Sequence, residues 1–187
     1  MEKMNQKTAL LVMDMQNSIL NRLMNTGQLI TNVKKSITHA REKKLPVVYV
    51  VVGFRPGAPE ISANNKSFTA FKTMLYPGNM DEMIKIHQDL TPLPEEITVI
   101  KRRISAFTGS DLEVVLRGLD AQHLVLTGIS TSGVVLSTVR EAADKDYGLT
   151  VLSDCCADND DEVHQVLMNK VFPRQAEVIS LDNWMRE

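Results

Sequence analysis

The stretch HLVLTGISTSGVVLSTVREAAD, residues 123–144, decides the fold. It opens on an apolar run, passes through a loop of small and hydroxyl residues, and then opens a helix. A buried strand that feeds a helix through such a loop is the repeating unit of an α/β protein. Working outward, further short apolar runs read as strands: TALLVMD (8–14), PVVYVVV (46–52), ITVIK (97–101), LTVLSD (149–154) and AEVISL (176–181). Most are continuous rather than alternating, as strands covered on both faces are. Helical patterns lie between them. TGQLITNVKKSITHAREKK spaces Leu29, Ile30, Val33 and Ile37 on one face, with its basic residues last. SDLEVVLRGLD begins with Ser110 as N-cap, STVREAADKDYG runs to Gly148 as C-cap, and NDDEVHQVLMNKVF is acidic first and basic last.

This rhythm predicts a doubly wound α/β domain with a parallel sheet, one domain over residues 1–187. Segment 53–96 breaks it. Long, rich in Pro and Gly and only partly helical, it reads as a substrate lid or an assembly surface. The chain has 43% apolar and 24% charged residues, with a net charge of −2 and no basic stripe, which argues against a nucleic-acid partner. No apolar run approaches the ~18–20 residues of a membrane span, and the N-terminus lacks a secretory layout, so a cytoplasmic protein is expected. The adjacent Cys155 and Cys156 read as reduced core residues.

In open α/β sheets, ligands bind beyond the carboxyl ends of the strands. Three polar positions fall there: Asp14 after the first strand, Lys101 at the end of the third, and Ser130–Gly133 after the fourth. Each has a plainer reading. Asp14 would cap a helix, Lys101 would belong to a solvated cluster with Arg102 and Arg103, and the loop would only start a helix. Together they describe a charged crevice able to move a proton.

The segments ALLVMDMQNSI (9–19), VIKRRISAFTGSDLEVVLRGL (99–119), HLVLTGISTSGVVLSTVREAADKDYGLTVLSDCCAD (123–158) and KVFPRQAEVISLDNW (170–184) resemble the isochorismatase-like hydrolases over nearly the whole chain. The resemblance implies a Rossmann-like, six-stranded parallel sheet in the order 3-2-1-4-5-6, with helices on both faces. It also implies a catalytic Asp, Lys and Cys, of which Asp14 and Lys101 match the first two. The third, the Cys at the seventh position of the G-x-x-T-x-x-C pattern that starts at Gly128, falls on Val134. A non-proline cis peptide at Ile129–Ser130, with backbone N–H groups of 130–134 turned into the crevice, is implied as well.

Valine cannot form a thioester, so three functions stand open. In the first, a hydrolase of a small metabolite works without a cysteine, splitting a C–N or ether bond. Asp14 is its general acid/base and Lys101 its partner. Substrate is bound by Ile129, Ser130, Thr131, Ser132, Gly133, Val134 and, from the excursion, Arg55. In the second, an inactive relative binds a metabolite or serves as an assembly subunit. In the third, Ser130 or Ser132 is a nucleophile, although no histidine has an evident place as its base. No cluster has metal-ligand spacing and no cofactor is expected. The resemblance and the apolar outer helix positions point to a homodimer or homotetramer.

Overall fold

The computed structural model describes residues 7–23, 25–75 and 80–186. Six strands form one parallel sheet: β1 (Thr8–Met13), β2 (Val47–Val52), β3 (Ile97–Lys101), β4 (His123–Ile129), β5 (Gly148–Ala157) and β6 (Glu177–Ile179). Their spatial order is β3-β2-β1-β4-β5-β6. The sequence therefore reverses direction across the sheet between β1 and β4, where Thr8 to Met13 pair in register with His123 to Gly128.

The continuous apolar runs follow from the two layers that cover them. Along β1, Ala9, Leu11 and Met13 pack on the face that carries α5 (Leu112–Gly118) and α6 (Leu136–Asp144). Leu10 and Val12 face α2 (Gly27–Glu42) and the short C-terminal α8 (Leu181–Trp184). Leu29, Val33 and Ile37 are the apolar stripe of α2, and Trp184 closes that layer with its ring edge-on to His39 at 4.9 Å. Burying each such side chain contributes about 1.5–3 kcal/mol.

Several boundaries differ from the sequence expectation for identifiable reasons. Gly148 does not cap α6. The helix ends at Asp144, the chain turns through Asp146 at φ 64°, and the Gly148 N–H bonds to Gln122 O as β5 begins. A Cβ at Gly148 would lie 2.5 Å from His123 Nδ1, so the glycine serves strand packing. At the start of α5 the N-cap is Asp111, while Ser110 Oγ accepts from the Leu112 N–H one residue earlier. β6 is shorter than AEVISL because Ser180 turns outward to cap α8.

The excursion 53–96 holds α3 (Lys66–Leu75), α4 (Met80–Met83) and a 3-10 turn at Gln88–Leu90; residues 76–79 of it lie outside the described residues. It has its own apolar cluster of Val52, Phe54, Ala58, Phe68 and Met83. Gln16, fully buried at the N-terminus of α1 (Asn17–Leu20), fastens it down. Its Nε2 donates to Val52 O at 3.0 Å and Met83 O at 2.7 Å, and its Oε1 accepts from the Val52 N–H at 2.8 Å. One amide thus ties the end of β2 and the foot of α4 to the residue just past β1. Among the described residues, no helix is long and apolar enough to cross a membrane.

The tightest point of the sheet is Gly128, at φ 131°, where a Cβ would stand 2.0 Å from the carbonyl oxygen of Met13. Both the dihedral and the contact demand glycine. Gly128→Ala is expected to lose about 3 kcal/mol or more of stability, read as a lowered urea midpoint; an unchanged midpoint would show that β1 and β4 can separate here without cost.

Candidate active site

At the carboxyl ends of β1, β3 and β4 the chain forms a cavity of about 260 Å³. This is just under the ~300 Å³ lower bound common for small-molecule pockets. Asp14, Lys101, Ile129, Ser130, Gly133 and Val134 line it. Ile19, Arg22, Val52, Ser67, Phe68, Phe71 and Ile104 complete the lining. The strand order makes this convergence possible. β1 and β4 are neighbours, so Asp14 and Ser130 leave adjacent strand ends, while Lys101 reaches across the end of β2, two strand spacings or about 10 Å.

Asp14 is not a helix cap. It sits at φ 57°, a left-handed conformation costing a non-glycine residue about 1–2 kcal/mol, and its N–H bonds to Val50 O. Its side chain is buried and its Oδ2 lies 2.9 Å from Lys101 Nζ. Lys101 is likewise no part of a solvated cluster, being 2% exposed. Its ammonium also donates to Arg103 O and Ile104 O, each at 2.9 Å. Those three contacts use all three of its N–H donors. Lys101 is thereby held by the β3–α5 loop and holds Asp14, with no donor left for a ligand.

The other carboxylate oxygen, Asp14 Oδ1, is buried and has no hydrogen-bond partner. Burial raises the Asp14 pKa above its usual value against the lowering pull of Lys101, so a proton is easier to keep here than on a surface carboxylate. A buried acceptor left unmatched in a folded protein calls for an explanation, and here it belongs to a residue that lines the cavity.

The β4–α6 loop begins with a cis peptide between Ile129 and Ser130 and winds through a wide turn, Thr131–Val135, into α6. Its hydrogen bonds depart from the expected cradle of N–H groups. The Ser132 N–H donates to Asp158 Oδ2 at 2.7 Å, and the Gly133 N–H to Ser130 O at 3.1 Å. These two donors hold the loop together and are not turned to the crevice. Thr131 is fully buried, sharing a 2.8 Å hydrogen bond with His164 Nδ1, and neither it nor Ser132 lines the cavity. His164, from α7 (Asp161–Val166), thus does meet the loop, but at a residue facing away from the crevice. Ser130 does line it, and a Cβ at Gly133 would come 2.8 Å from Ser130 Oγ, so that glycine leaves the hydroxyl its room.

Arg55 lies outside this cavity. It pairs with Glu60 at 2.8 Å and lines a separate depression with Arg102 and Arg103. The arginine that does line the cavity is Arg22, on the turn after α1. Nothing in the local pattern NRLMN distinguishes Arg22 from a surface arginine, and Gln16 in DMQN gave no signal of its anchoring role. Cys155 and Cys156 are buried, and burial pushes both thiols up, Cys156 to about 12. Among the described residues, no group of three His, Cys, Asp or Glu side chains is arranged to hold a metal ion.

A buried carboxylate and ammonium at the switch point of a doubly wound sheet define an α/β protein with a ligand crevice of the enzymatic kind. The chain belongs to the isochorismatase family: the Isochorismatase domain matches residues 8–183. An uncharacterised isochorismatase family protein of Bacillus subtilis, YwoC, is 30% identical over 169 residues, which cover 90% of this chain and 87% of that one. The ureidoacrylate amidohydrolase RutB of Pseudomonas syringae is 32% identical over 170 residues, covering 79% of this chain and 69% of the relative. Among solved structures, an isochorismatase family protein from Burkholderia thailandensis superposes with a TM-score of 0.83 at 27% identity, covering 96% of this chain and 94% of that one. The N-carbamoylsarcosine amidase of Thermoplasma acidophilum gives 0.76 at 25% identity, covering 94% and 97%.

Lys101→Met tests the pair. It leaves Asp14 buried with only desolvation acting on it, so the carboxyl pKa climbs further. Below the ordinary carboxylate range Asp14 is neutral in both proteins and the penalty is only the lost Lys101 hydrogen bonds. As pH rises to neutrality the variant must either ionise an unpaired carboxylate or hold a proton. Destabilisation should therefore grow from pH 4 to pH 7, to about 3–5 kcal/mol. A pH-independent difference in urea unfolding would show that Lys101 does not compensate the Asp14 charge.

Proposed function

We propose that the protein is a hydrolase of a small metabolite that works without a cysteine nucleophile, with Asp14 as general acid/base and Lys101 as its positioning partner. One observation carries this reading: Asp14 lines the cavity with its Oδ1 buried and unpartnered, while Oδ2 is locked to a lysine whose donors are all used. In hydrolysis, Oδ1 takes a proton from water as it attacks and returns it to the leaving group as the C–N or ether bond breaks. The raised pKa supports the returning step, because the carboxyl holds its proton near neutral pH more readily than a solvated Asp would. Lys101 limits that rise and fixes the carboxylate plane.

Val134 is the residue at the position where the family resemblance expects a thiol, and it forms part of the cavity wall. Cys155 and Cys156 do not replace it, since buried thiols with raised pKa are poor nucleophiles. Ser130 has a hydroxyl at the cavity, but no histidine lines that cavity to act as its base. The relatives that are named for amide substrates, RutB and the N-carbamoylsarcosine amidase, make ureido and N-carbamoyl compounds the first substrates to try. The same reading takes the enzyme to be cytoplasmic and a homodimer or homotetramer. Val134 also favours a second reading, an inactive family member that binds a metabolite or serves as an assembly subunit.

Two measurements separate the readings. Against a panel of amides, N-carbamoyl compounds and vinyl ethers, Asp14→Asn should lower kcat by at least about 100-fold while the protein stays folded. Full turnover in that variant removes Asp14 from the mechanism, and no turnover in the unaltered protein favours the binding protein. Iodoacetamide should leave activity intact; inactivation that tracks alkylation of either cysteine would return a thiol to the chemistry.

A further inference from the structure

The cavity contains a cation whose donors are still free. The Lys101 ammonium is saturated by Asp14, Arg103 O and Ile104 O. The neighbouring arginines are engaged too: Arg55 with Glu60, Arg102 with Gly53 O, Arg103 with Glu60 O. Arg22 lines the same cavity as Asp14, and among the described residues its guanidinium has no hydrogen-bond or ion-pair partner. With Asp14 and Lys101 cancelling one another, Arg22 leaves the cavity one uncompensated positive charge. The same cavity has an aromatic surface. Phe68 and Phe71 both face the cavity, their ring centroids 5.9 Å apart and their planes at 62°, held from behind by Phe54.

We propose that Arg22 is a specificity-determining residue that binds the carboxylate of a substrate whose apolar body lies against Phe68 and Phe71. This places the bond to be broken at Asp14 Oδ1, and in that respect it rests on the hydrolase reading. The planar guanidinium offers a paired donor face that matches a carboxylate. A single guanidinium balances a monoanion. A phosphate would bring a second negative charge into a cavity whose other cation is already paired. The small volume, about 260 Å³, limits the ligand to a compact acid. Arg22 stands on the turn between α1 and α2, whereas Asp14 and Lys101 stand on strand ends, so charge recognition and proton transfer occupy different parts of the chain.

The test uses the full chain and two pairs of compounds, N-carbamoyl-leucine and N-carbamoyl-phenylglycine, each beside the carbamoyl amino alcohol in which the carboxylate has become a hydroxymethyl group. Dissociation constants come from calorimetry, and kcat and KM from any compound that is turned over. The unaltered protein should prefer each acid over its alcohol by about 10- to 100-fold, the worth of a charge-assisted hydrogen-bond pair. In Arg22→Met that ratio should fall close to one, through KM rather than kcat, and Arg22→Lys should restore part of it. A preference that survives Arg22→Met, no preference in the unaltered protein, or failure of both acids to bind overturns the assignment. Acid-selective binding without turnover leaves Arg22 standing and sinks the hydrolase reading. Turnover without acid preference does the reverse.

Discussion

The close approach of β1 and β4 is the constraint from which the rest of the site follows. At Gly128 the chain passes so near the Met13 carbonyl that no side chain fits, in a left-handed conformation that favours glycine. The next residues on the two strands leave the sheet side by side. Asp14 turns out at φ 57° and Ser130 follows the cis peptide, and the crevice opens between them. A doubly wound sheet has such a crevice at its switch point by topology alone. Gly128 narrows it until a carboxylate from one strand and a loop from the other share one small cavity.

Within that cavity the polar groups divide their tasks by how many hydrogen bonds they have already made. A buried ion pair is weak evidence for stability, because desolvation offsets most of the attraction. The Asp14–Lys101 pair is therefore better understood through its asymmetry. The lysine has no capacity left, and the aspartate keeps one oxygen free. The loop that the family resemblance casts as an anion cradle has also used its Ser132 and Gly133 N–H groups on Asp158 and Ser130 O. The side chains that line the cavity and keep polar capacity include the Asp14 carboxyl, the Ser130 hydroxyl and the Arg22 guanidinium, beside the aromatic surface of Phe68 and Phe71. Gln16 makes that aromatic surface part of the site by holding the excursion against the ends of β1 and β2.

Much of this was legible in the sequence. Continuous Val- and Leu-rich runs alternating with amphipathic stretches pointed to a parallel sheet with helices on both faces, since strands buried on both sides have such runs. Asp14 and Lys101 were legible because they end such runs, and strand ends are where ligands sit. Side-chain partners were not. The pattern KRR in 101–103 looks like solvated surface, yet Lys101 is buried, because its position relative to β2 is a matter of strand order and not of its neighbours in the chain.

The same reason explains the two arginines. Arg55 follows β2 and Arg22 follows α1, both carry the same charge, and the sequence reading named only Arg55, for its place on the excursion. The fold gives Arg55 a carboxylate of its own, Glu60, and leaves Arg22 open at the cavity. His164, 33 residues from Thr131 in the chain, meets it across the α7 packing, a contact no local pattern encodes. By itself, then, the sequence determined the layers, the strand ends and the charged residues available there, because periodicity and burial are local properties. Only the tertiary structure decided which of those charges were already satisfied, because a hydrogen-bond partner is set by distance in space.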